Sequence, residues 1–168
     1  MTISMYQASA PRFANTLKNL VLILDKAQTH TETRKIDPLV LTAARLYPDM
    51  LPMSRQVQIA CDTAKGAVAR LAGVEAPKHE DTEKTFAELK ARIAKTLDFI
   101  GAFEPTQLDG SEEKEIVLKR GGNDTRYIGS QYLLGFALPN FYFHVTTAYD
   151  ILRHNGVDVS KSDYIGTP

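Results

Sequence analysis

Asn140 and His144 stand four residues apart in the stretch FALPNFYFHVTTAYDILRHNGV, Phe136 to Val157. On a helix that spacing stacks two side chains on one face, so a carboxamide and an imidazole would meet a single ligand. Both groups donate and accept hydrogen bonds, and a neutral imidazole nitrogen also binds transition metals. Three readings of His144 follow: a metal ligand, part of a polar pocket for a small molecule, or a core histidine with satisfied nitrogens. His154 falls on another face, near a helix C-terminus where a protonated ring complements the dipole. His30 and His79 have no ligand spacing around them, and solvent exposure is expected for both.

Cys61 lies on an apolar stripe, which favours burial as a small hydrophobe over thiolate chemistry. As the single cysteine it excludes an intrachain disulfide and a cysteine-based zinc cluster. Asp49 reads as a helix-starting residue and Arg55 as a solvated one, although with Tyr47 they would also suit a pocket mouth. The GGND run lacks the lysine and strand-to-helix setting of a phosphate loop, so it reads as a hairpin turn within EIVLKRGGNDTRYI.

Four long helical segments must position these groups. Tyr6, Phe13, Leu17, Leu20, Leu24 and Ala27 mark the first, with Pro11 expected to kink it rather than end it. The second runs from about Leu51 to Ala72 along Val57, Cys61, Ala64, Val68 and Leu71, and Gly73 stops it. The third starts near Asp81 or Thr82 and carries Phe86, Leu89, Ile93, Leu97 and Ile100. The fourth extends from about Ser130. With Phe141 at the centre of its inward face, a regular turn places Leu134, Leu138, Val145, Ala148 and Leu152 on one stripe and His144 at its edge. Pro139 presses on the Gly135 carbonyl, a tolerated kink. Tyr132, Phe136 and Phe143 fall on the reverse face, which either the hairpin and neighbouring helices or a second copy must cover; a homodimer through this helix is the expectation. Between the first two helices, DPLVL predicts a short helix with Asp37 as cap and Pro38 first inside.

The 168 residues suit one domain, residues 1–168, with no repeat or linker. Lys and Arg total 20, as do Asp and Glu, so net charge is zero, which argues against sequence-independent nucleic-acid binding and permits self-association. The N-terminal residues lack a signal-peptide pattern, and no apolar run is long enough to cross a bilayer; no membrane partner and a cytoplasmic location are expected.

With these segments in place, the chain resembles the DinB/YfiT-like superfamily of four-helix bundles, and within it a bacterial family of unknown function. The similarity to that narrower family spans MYQASAPRF, RQVQIACDTAKG, FALPNFYFHVTTAYDILRHNG and the terminal YIG. The resemblance implies an all-α, DinB-like four-helix bundle with a short helix in the first crossover and a small β-hairpin before the last helix. DinB-like relatives carry a three-histidine metal centre, with one ligand on the second helix and an H-x-x-x-H pair on the last. His144, followed by Leu152, Arg153 and Gly156, aligns with the second histidine of that pair. Asn140 takes the place of the first, and Gln58 that of the ligand on the second helix. Carboxamide oxygens are poor donors to zinc or nickel. The resemblance thus implies a polar ligand pocket of Gln58, Asn140 and His144, with no tightly held cofactor. Asp62, one turn past Gln58, would add a carboxylate if turned inward, leaving His144 and Asp62 as a weak site for a divalent transition metal. The leading expectation is a small-molecule-binding or regulatory bundle. The alternatives are a metal-dependent transferase or hydrolase using His144, and a structural or interaction homodimer.

Overall fold

A computed structural model describes residues 3–120 and 122–167. Helix α1 (Met5–Ala8) is capped by Ser4 and Gln7 and breaks at Ser9, where α2 (Ala10–Arg34) begins. Pro11 therefore opens a new helix instead of kinking one helix. In the first turn its missing N–H is one that no intrahelical carbonyl would have bonded. α2 ends at Lys35 in the left-handed region, with φ 55°. The short helix α3 (Pro38–Thr42) starts as its sequence signals, with Asp37 accepting from the Leu39 amide at 2.9 Å.

Helix α4 (Met53–Ala72) closes on Gly73, whose φ of 79° returns its amide to the carbonyls of Ala69 and Arg70. Helix α5 (Phe86–Gly101) starts later than Asp81 or Thr82. Thr85 is its cap, bonded to the Glu88 amide while the Glu88 side chain returns to the Thr85 amide. Glu88 is held below the usual carboxylate range by the amides of Lys84 and Thr85. A short α6 (Pro105–Leu108) leads to β1 (Glu115–Arg120) and β2 (Asn123–Ile128), paired antiparallel with Arg120 opposite Asn123. In the GGND turn Gly121 lies outside the described residues, and Gly122 adopts φ 85°.

The last helical stretch has three parts. α7 (Gly129–Tyr132) runs into a π-turn over Leu133–Ala137 and then α8 (Leu138–His154). The Leu138 amide bonds the Leu133 carbonyl, five residues back, and Pro139 lies in the first turn of α8. A proline cannot supply the ordinary amide donor, and a wider turn accommodates that loss. The extra residue shifts helical phase, so Leu134, placed inward by regular 100° steps, is instead 60% exposed while Leu133 and Ala137 are buried. A final short α9 (Lys161–Ile165) packs on α2, with Asn19 donating to the carbonyls of Tyr164 and Ile165.

In the bundle α2 packs on α5, α5 on α4, α4 on α8 and α8 on α2. Phe13 and Phe141 meet edge to face at its centre, ring centroids 4.9 Å apart. Leu17, Leu20, Leu24, Val57, Val68, Leu89, Ile93 and Leu152 fill the space around them. Tyr127 of the hairpin lies against Tyr132 and Phe136, so the hairpin covers much of the reverse face of the last helix. Leu134 and Phe143 stay exposed. No helix among the described residues is long and apolar enough to cross a membrane.

Candidate functional site

Polar side chains mark the seam between α4 and α8. The helices run antiparallel, since Gln56 meets His144, Thr63 meets Asn140 and Arg70 meets Tyr132. His144 is half-buried, with Nδ1 2.6 Å from Gln56 Oε1. The Gln56 amide nitrogen donates to the Leu51 carbonyl at 3.0 Å, which fixes the orientation of the carboxamide. Its oxygen must then accept, so His144 carries its proton on Nδ1 and leaves Nε2 as a lone pair. Burial holds His144 below the usual imidazole value, favouring the neutral ring.

Asn140 donates through Nδ2 to Thr63 Oγ1 at 2.9 Å, two turns along α4 from Gln56. Asn140 and His144 share a face of α8, and their partners on α4 lie about 10 Å apart by helical rise.

Gln58 points elsewhere. Two residues after Gln56, it is turned about 200° around the helix. It bonds Arg55 Nη1 at 2.7 Å and Glu83 Oε2 at 2.9 Å. Gln58 therefore belongs to a network that spacing did not reveal, centred on Arg92, which is 2% exposed. Arg92 pairs with Asp62 and Asp81 at 2.9 Å, with Glu83 at 3.1 Å, and donates to the Glu80 carbonyl at 3.0 Å. Asp62 also meets the buried Lys65 at 2.8 Å. Burial would raise the Asp81 carboxyl, but Arg55 and Arg92 outweigh it and hold Asp81 below the usual range. Arg55 is thus a partner of Asp81 and Gln58, not a free surface cation. The spacing Leu89, Arg92, Ile93, Thr96 carried the missed signal, because it puts Arg92 on the inward face of α5.

His79 is half-buried. Its Nδ1 is buried with no hydrogen-bond partner among the described residues, and burial together with nearby Lys65 and Arg92 lowers its proton affinity. Cys61 is fully buried, and burial pushes its thiol up to about 12, as suits a packing residue.

Beneath the hairpin, beside the Thr63–Asn140 contact, lies a cleft of about 250 Å³. Asp62, Thr63, Arg70, Lys119, Phe136 and Asn140 line it, with Tyr132 at its wall. Arg70 Nη1 donates to Tyr132 Oη at 3.1 Å, and the rings of Tyr132 and Phe136 stack with centroids 5.9 Å apart. Of the candidate site residues named from sequence, Asn140 and Asp62 reach this cleft.

Residues 5–165 match the family described as a domain of unknown function, DUF1993. The chain belongs to this family. A crystal structure of a DinB family member protein from Shewanella denitrificans is similar in sequence and fold: 44% identity, TM-score 0.88, 97% of this chain covered and 92% of that one. No curated protein matches the chain. The DUF1993 chain thus has the DinB-like bundle, and its residues can be tested against the metal centre that the superfamily implies. They do not fit one. His144 offers the Nε2 lone pair alone, while Asn140 is bonded to Thr63 and Asp62 to two cations. Among the described residues no three His, Cys, Asp or Glu side chains group as a metal site. Carboxamides flanking a single imidazole make a weak donor set for a transition ion.

Proposed function

We propose that this DUF1993 protein is a small-molecule-binding bundle that works without a tightly held metal, using the cleft beneath the hairpin. One observation carries the reading. Asn140, aligned with a metal-ligand position, lines the cleft and spends one N–H on Thr63, and its carbonyl oxygen has no hydrogen-bond partner among the described residues. A carboxamide with an uncommitted oxygen can accept from a donor on a ligand, while Arg70 and the aromatic wall supply charge and area. Bundle helices recurrently host such pockets. A thermal-shift screen of small metabolites checks it, with wild type and Asn140→Leu side by side. At least one compound should raise Tm in the wild type and raise it less in the variant. A screen in which no compound separates the two proteins would remove the reading. Elemental analysis of protein purified without an affinity tag should show substoichiometric zinc, nickel, iron and manganese.

A second reading, a homodimer, draws on the exposure of Leu134 and Phe143 along the last helical stretch. Sedimentation at micromolar concentration decides it, and a monomeric profile ends it.

A further inference from the structure

Charge in the cleft beneath the hairpin is unevenly committed. Asp62 lines the cleft, but both of its carboxylate oxygens are paired, one with Lys65 and one with Arg92. Arg70 and Lys119 line the same cleft, and neither has a carboxylate at ion-pairing distance among the described residues. Arg70 is nonetheless held in place. Its guanidinium bonds Tyr132 Oη and lies 6.0 Å from that ring's centroid. This arrangement uses the space at Gly66, one turn earlier, where a Cβ would sit 2.6 Å from Arg70 Nη1. A glycine inside a helix lowers its stability relative to alanine, so position 66 trades helix stability for guanidinium placement. The bond to Tyr132 uses one of five N–H donors, and the planar fork that remains matches a carboxylate or a phosphate. The cleft, at about 250 Å³, suits a ligand near the lower end of the small-molecule range, with one ring or a short chain.

We infer that the cleft takes a small organic anion, a carboxylate or phosphate monoester gripped by Arg70 and Lys119 with its planar or apolar body against Phe136 and Tyr132. This inference rests on the small-molecule reading above and adds the ligand's charge. Isotope-labelled protein titrated with phenyl phosphate, benzoate and benzylamine tests it, following the backbone amides of Thr63, Arg70, Lys119 and Asn140. At least one of the two anions should shift these amides along a saturating curve while benzylamine leaves them in place. The tighter of the two assigns the anionic group. Arg70→Gln should weaken anion binding at least tenfold. Gly66→Ala, which keeps the charge but displaces it, should weaken binding several-fold. Saturating shifts from benzylamine equal to those of the anions would overturn the anion assignment and leave a ligand cleft standing. Anion affinity unchanged in Arg70→Gln would overturn it too, because the charge would be held elsewhere. No saturating shift from any of the three would overturn the inference and count against the ligand cleft itself.

Discussion

Two separate features set the state of His144: the Gln56 oxygen selects the Nδ1–H tautomer, and burial disfavours the imidazolium. A histidine with a depressed folded-state pKa binds fewer protons folded than unfolded, so its contribution is complete above about pH 6.5 and is lost as pH falls from there through the folded value. His79 shifts in the same direction and would contribute to the same pH window. Comparison with His144→Asn isolates the seam histidine. The urea midpoint of the wild type should drop more between pH 7.5 and pH 5 than that of the variant. Cys61 offers a second check. Its thiol, raised to about 12 by burial, should resist an aromatic disulfide reagent at pH 8 in native protein and react at once in urea.

Two glycines on adjoining elements should respond to alanine in opposite ways. At Gly129, which opens α7, a Cβ would lie 1.9 Å from the Ser111 carbonyl oxygen, and the Ser130 amide is bonded to the Glu112 carbonyl beside it. Backbone meets backbone there, so Gly129→Ala should cost about 2–3 kcal/mol, read as a lower denaturant midpoint. At Gly66 the obstructing atom is the tip of a flexible side chain. Gly66→Ala should therefore keep or raise stability by up to about 1 kcal/mol while moving Arg70. Stability and cleft chemistry separate at that position. On α5, Thr85→Ala removes one half of a reciprocal cap and should cost about 1 kcal/mol.

Across the molecule, Arg92 is what fastens the connection between α4 and α5 to the bundle. It holds Asp81, Glu83 and the Glu80 carbonyl from that connection, and Asp62 from α4. The Asp62 and Asp81 side chains are 41% and 39% exposed and keep Lys65 and Arg55, so Arg92→Ala should cost less than the ~3–5 kcal/mol of a fully buried pair. Arg92→Met keeps more of the volume and should be milder than Arg92→Ala. Chemical denaturation of both variants checks the order. The acid limb follows in sign. Asp81, held below its usual value, contributes stability present above about pH 4 and lost as pH falls through its folded value.

Much of this architecture was readable along the chain, because apolar spacing and local caps are properties of contiguous residues. The stripes of α2, α4 and α5, the Asp37–Pro38 start, the Gly73 stop and the burial of Cys61 all follow from neighbours within a few turns. The cleft and the seam were less readable, because they depend on how helices are rotated against one another. Two residues along α4 separate Gln56, which meets His144, from Gln58, which meets Glu83, and no local pattern chooses between them. One added residue in the π-turn moved Leu134 to the surface. Arg92 shows the same division. Its spacing with Leu89, Ile93 and Thr96 puts it on the inward side of α5, but only packing brought three acids to it.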